Sequence, residues 1–125
     1  CYKRQVLADA VELEVLLTNL LKNASEAAAC ADIPYVELYM DTLPNGAVKL
    51  TITNSCQPLT PAEQEALSSP LHSSKENGLG LGLAVVRSIA ERNETDLLLS
   101  EDVPGIFRAV LTFQPTDPRQ EGAAP

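Results

Sequence analysis

The sequence predicts an α+β fold: a two-layer α/β sandwich whose mixed, mostly antiparallel sheet of about five strands is covered on one face by about three helices. Three observations predict it. Two segments carry apolar residues at helical spacing, and two pairs of segments alternate around turn signals. The 125 residues suit one domain with one core. Few helices against mostly antiparallel strands leave a sheet with a helical layer as the economical packing.

The elements follow in order. Gln5 to Ala8 is a short extended candidate, and Asp9 stands where a helix cap belongs. From Val11 the apolar residues Leu13, Leu16, Leu17, Leu20, Leu21, Ala24 and Ala28 recur at helical spacing, so a long helix is expected to end near Cys30, before Pro34. Tyr35 to Met40 and Val48 to Thr53 alternate on either side of Pro44-Asn45-Gly46, a hairpin pattern. Asn54 to Asn77 is rich in Ser, Pro, Gln and Glu and holds one short helix, Pro61 to Leu67, capped by Thr60. A connection of that length inside a domain is usually functional. The glycine run Gly78 to Gly82 feeds a second amphipathic helix with a buried stripe of Leu83, Val86, Ile89 and Ala90, stopping near Asn93. Strands at Leu97 to Ser100 and Phe107 to Phe113 flank a turn at Pro104-Gly105. One domain is expected over residues 1–114, with 115–125 a flexible tail or linker.

Bulk properties restrict function. Composition is ordinary for a globular protein, and with no Trp the core must be Leu, Val, Ile and Ala. The formal net charge of -8 argues against nucleic acid or an anionic membrane surface as partner. An anionic ligand must then be held by backbone N–H groups or a metal ion. Cys1, Cys30 and Cys56 are odd in number and have no metal-like spacing, which reads as reduced thiols in a cytoplasmic protein. No apolar run approaches the roughly 20 residues of a membrane span. The chain opens mid-pattern at Cys1, so anchoring of a parent protein in the inner membrane stays open.

Two constellations carry chemistry. Asn19 and Asn23 are four apart on the long helix and so share a face. An amide oxygen is a fair ligand for Mg²⁺, a hard cation that keeps several waters and bridges phosphates. Alone, two asparagines are also what any polar helix face carries. Gly78, Gly80 and Gly82 let backbone approach a bulky anion, and the following helix points its N-terminal N–H groups at the same place. The run is neither a Walker A loop nor a dinucleotide fingerprint, and alone it also reads as a hinge.

Together the two are far more specific. "LLTNLLKNASEA" resembles the N box of sensor histidine kinase catalytic domains, and "SSKENGLGLGLAVVRSIAER" resembles their second glycine box with the helix behind it. These domains belong to the gyrase, Hsp90, histidine kinase and MutL group of ATPases with the Bergerat ATP-binding fold, and the resemblance spans Val6 to Phe113. It implies ATP and Mg²⁺ as cofactors. Asn23 would coordinate the metal, Asn19 would support the phosphates or the metal, and Gly78, Gly80 and Gly82, followed by Leu83, would wrap the phosphates. Lys75 would stand at the lid edge, where its charge reaches a phosphate; a solvated loop lysine is the other reading. An Asn at position 19, where some relatives carry a glutamate that activates water, fits phosphoryl transfer rather than hydrolysis, since an amide is no general base.

The first glycine box of the family reads Asp-x-Gly-x-Gly; here the run is Asn54-Ser55-Cys56-Gln57-Pro58. Asn54 would accept the exocyclic amino group of adenine without charge assistance. The lid motif is reduced to Leu67-Ser-Ser-Pro70-Leu71. The resemblance implies that the phosphorylated histidine lies on a separate dimerisation hairpin of the same parent protein, with a response regulator served through it. No catalytic residue beyond ATP positioning is expected in this chain, and His72 is a lid residue. Cys56 is expected to be a small lining residue, and Glu12, Glu14 and Glu26 solvated helix positions. A monomer is expected, with little activity alone. Two alternatives stay open: a degenerate, nucleotide-free interaction or scaffold domain, and a serine kinase of the anti-sigma type.

Overall fold

The computed structural model describes residues 9–68 and 81–115. They form α1 (Ala10–Ala29), β1 (Val36–Thr42), β2 (Val48–Ser55), α2 (Pro61–Ser68), α3 (Leu81–Arg92), β3 (Asp96–Val103) and β4 (Ile106–Phe113). The strands make one sheet in the order β1-β2-β4-β3, with all three pairings antiparallel. The two-layer α+β class is as expected, with four strands among the described residues. The fifth, Gln5 to Ala8, lies outside them, and no parallel pairing occurs within them.

Local chemistry sets the element ends. Asp9 caps α1 by accepting the Glu12 N–H at 3.0 Å. Thr60 and Glu63 form a reciprocal capping box on α2: Thr60 Oγ1 accepts the Glu63 N–H at 3.2 Å, and Glu63 Oε1 accepts the Thr60 N–H at 2.9 Å. In the first hairpin Asn45 Oδ1 accepts the Ala47 N–H, and Gly46 takes φ 90°. Gly105 takes φ 89° in the second. Such angles suit glycine alone at little cost.

Register decides the faces. Leu50 and Ile52 of β2 lie opposite Leu111 and Ala109 of β4, which lie opposite Leu97 and Leu99 of β3. Upon this face α1 lays Leu16, Leu20 and Ala24, and α3 lays Leu83, Val86, Ile89 and Ala90. α1 packs on β2 and α3, and α2 against β3. The other face carries the row Tyr39, Thr51, Val110 and Leu98, with Tyr39 and Leu98 exposed.

Two expectations need correction. The alternation in β1 buries neither face: all seven residues are exposed, because α1 sits over β2 and scarcely reaches this edge strand. Leu21, placed in the apolar stripe of α1, is 38% exposed, because the stripe that meets the sheet is the narrower row Leu16, Leu20, Ala24 and Ala28.

Candidate nucleotide site

Between the helical layer and the ends of the central strands lies a cavity of about 450 Å³. That is within the range of small-molecule sites. α1 contributes Leu20, Asn23, Ala24, Glu26 and Ala27, with Cys30 just beyond its end. β2 supplies Ile52 and Asn54, the following loop Cys56 to Leu59, and α2 Glu63. Leu83 of α3 and Phe107 and Ala109 of β4 complete it.

The wall is mostly apolar, with two asparagines among it. Asn54 is 2% exposed, since β2 is central and strands flank it on both sides. Its Nδ2 donates to the Ser55 carbonyl at 2.9 Å, which fixes the amide and leaves Oδ1 as its acceptor. Asn23 stands one turn from Ala27 on the cavity side of α1, and its Nδ2 is buried without a hydrogen-bond partner. A buried amide without a partner is costly. The described lining holds two carboxylates, Glu26 and Glu63, and no lysine or arginine. A polyanion entering here meets amide groups rather than cationic side chains.

The loop that forms one wall is held from outside. Gln57 Nε2 donates to the Cys30 carbonyl at 2.5 Å, tying the loop to the end of α1. Cys56 donates its backbone N–H to Gly105 O at 2.9 Å and its thiol to Glu101 Oε2 at 3.9 Å. Burial pushes the Cys56 thiol pKa up, and the Glu101 carboxylate adds to the rise, so the sulfur stays protonated at neutral pH. Cys56 therefore lines the site as a thiol. Arg87 of α3 donates to the Leu67 carbonyl at the C-terminal end of α2, and burial alone lowers its pKa.

The predicted site residues divide. Asn23, Asn54 and Leu83 meet in one cavity wall, and Gly82 falls in the first turn of α3. Asn19 is not part of the wall: its Nδ2 turns back to the Val15 carbonyl at 2.8 Å. Lys75, Gly78, Gly80 and His72 lie outside the described residues. Glu12 is not simply solvated. It accepts Arg92 of α3 and Asn93 just beyond it, because the start of α1 lies beside the end of α3. Glu14 and Glu26 are exposed as expected, and Glu26 also borders the cavity. Glu101 and Phe107 were missed; nothing local distinguishes a glutamate or phenylalanine in a strand, and only their neighbours give them a role.

The family model of histidine kinase-, DNA gyrase B- and HSP90-like ATPases matches residues 8–117. The chain belongs to this family. It is 34% identical over 85 residues to the C4-dicarboxylate transport sensor protein DctB of Rhizobium meliloti, covering 68% of this chain and 14% of that protein. It is 28% identical over 117 residues to the sensor histidine kinase ZraS of Klebsiella oxytoca, covering 94% of this chain and 25% of that one. The chain thus spans a quarter or less of these relatives. Its fold is similar to that of the nucleotide-free catalytic domain of histidine kinase ThkA, with TM-score 0.67, 23% identity and coverage of 89% and 71%. It is also similar to full-length ShkA in complex with AMPPNP, with TM-score 0.67, 18% identity and coverage of 91% and 24%. The cavity is therefore the nucleotide-site candidate of an ATPase-family domain. No described helix is long and apolar enough to cross a membrane.

Proposed function

We propose that this chain is the ATP-binding domain of a two-component sensor histidine kinase, binding Mg-ATP and donating the γ-phosphoryl group to a histidine on a separate dimerisation hairpin. The observation that carries the reading is the meeting of Asn23 and Asn54 in one largely apolar cavity. Asn54 Oδ1 accepts the exocyclic amino group of adenine, while Ile52, Ala109 and Phe107 pack on the ring. The Asn23 amide lies within the same wall, on the helix that carries the N box. Its oxygen suits a hard cation, and its unsatisfied nitrogen gives the amide reason to engage a ligand. Magnesium, when bound with the nucleotide, neutralises phosphate charge that the described wall does not meet with a cationic side chain.

The chain's own residues orient the nucleotide. α3 opens at Leu81, within the glycine run, with its N-terminal N–H groups available to phosphate; the resemblance assigns Gly78, Gly80, Gly82 and Lys75 to the phosphates as well. Asn19 acts indirectly, shaping the N-box helix through its bond to Val15. The acceptor histidine and any base beside it belong to the hairpin, so the domain alone, residues 1–114 as a monomer in the cytoplasm, binds nucleotide and transfers little. A response regulator is served through that histidine. The sensor kinases among the relatives favour this reading over an anti-sigma serine kinase, and the intact cavity favours it over a scaffold.

Calorimetric titration with ATP and ADP, with and without Mg²⁺, tests the reading. Wild type should bind with a magnesium-dependent enthalpy, and Asn23→Ala should weaken Mg-ATP about tenfold or more. A folded wild type silent at millimolar nucleotide refutes an ATP site here.

A further inference from the structure

Glu101 stands on β3 outside the cavity wall, yet its carboxylate gathers donors from three separate segments. Oε2 accepts the Leu59 N–H at 3.0 Å and the Gly105 N–H at 2.9 Å, with the Cys56 thiol at 3.9 Å. Oε1 accepts Gln64 Nε2 of α2 at 2.5 Å. Cys56 closes the ring by donating its N–H to Gly105 O. Two of these partners, Cys56 and Leu59, are wall residues. Three segments around this wall therefore converge on one side chain: the loop, the start of α2 and the β3–β4 turn.

Where the related glycine box has two glycines, this loop has Cys56 and Pro58. Proline removes a donor and fixes φ, so the loop has little means of organising itself through its own backbone. Its N–H groups need an acceptor. An ionised carboxylate offers several lone pairs at once, and bonds to it are roughly twice as strong as neutral ones. We propose that Glu101 is a positioning residue for the nucleotide base: its carboxylate holds the Cys56–Leu59 wall in the shape that sets the ring in register with Asn54. The proposal rests on the nucleotide reading above. It makes the fixed wall, rather than glycine backbone, the source of base selectivity in this chain.

The test compares ATP with GTP, both as magnesium complexes, by titration of the whole chain and of Glu101→Ala, Glu101→Asp and Glu101→Gln, with thermal unfolding alongside. Wild type should prefer ATP. Glu101→Ala should weaken ATP about tenfold and narrow the ATP-to-GTP ratio, since a base free to slide loses its register with Asn54. Glu101→Gln should retain most of the ratio, because its amide oxygen can still meet Leu59 and Gly105 while Gln64 turns its own amide to match. If the alanine variant does not fold, Glu101→Asp decides: the charge remains but is one methylene short of its donors, and the ratio should narrow. Alanine and aspartate variants that bind both nucleotides as wild type does, or weaken both equally with the ratio unchanged, overturn the role. A wild type that binds ATP and GTP equally also overturns it. A wild type that binds neither removes the nucleotide reading, and this inference with it.

Discussion

Asn23 and Asn54 are each an ordinary amide, and what separates them is the partner each has found. Asn54 spends its donor on Ser55 and keeps a fixed acceptor, whereas Asn23 has a buried donor with no partner. The N-box pattern made Asn23 legible in the sequence. Asn54 was legible only by its place where the related box has an aspartate. Asn19 shares the pattern but not the cavity: its Nδ2 bonds the Val15 carbonyl one turn back along its own helix. Cys56 and Cys30 both line the cavity, one buried and one exposed. With its pKa raised by burial and by Glu101, Cys56 should react with iodoacetamide at neutral pH well after Cys30, and should catch up only as pH rises. Peptide mapping by mass spectrometry reads this directly; Cys56 labelling ahead of Cys30 contradicts it.

At the scale of elements, the two long helices are closed by different devices. α3 ends with the Thr95 N–H on Ala90 O at 2.8 Å and the Glu94 N–H on Glu91 O at 3.2 Å, a Schellman pair that puts Glu94 at φ 51°. A left-handed angle costs a residue with a Cβ roughly 1–2 kcal/mol, so Glu94→Gly should raise the unfolding midpoint, by an amount equivalent to about 1 kcal/mol. A lower midpoint in thermal or denaturant unfolding sinks this account of the cap. The start of α1 is tied to the same place: Asp9 donates its N–H to Asn93 Oδ1, and Glu12 accepts Arg92 and Asn93. Hydrogen bonds from Arg92 first, then Asn93, hold the Glu12 carboxyl below the ordinary glutamate range. A lowered folded pKa means stability that is present above the unfolded value, about pH 4.3. It is lost as pH falls through the folded pKa. Glu12→Gln should therefore melt slightly below wild type at neutral pH, with the gap closing in acid. Melting curves from pH 7 down to pH 3 check the sign. Periodicity located both helices well, but the link between their ends joins residues far apart in sequence and has no local signal.

At the scale of the molecule, the described residues share one interlayer core in which Leu111, Ile52, Leu16 and Val86 are all but inaccessible. Leu111 lies at the centre of the sheet, between β2 and β3 and under the helices, so Leu111→Ala should cost about 2–5 kcal/mol. Denaturant unfolding measures it, and a loss below about 1 kcal/mol would mean that the layers close over the gap. The same two layers leave the cavity open at the ends of β2 and β4, where the polar loop after β2 takes over from packed strands. The sequence by itself determined the element types and their order, the caps at Asp9 and Thr60, the hairpin turns and the buried stripe of α3. Each depends on residues close in the chain: a repeat of 3.6 or 2, a side chain reaching its own helix end, or a glycine at a positive angle. Only the tertiary structure decided that β1 stays uncovered, that Asn23 and Asn54 face one cavity, and that Glu101 holds the wall between them. Those facts depend on which faces meet across the sheet and the helical layer, and a local pattern carries no record of a partner many residues away.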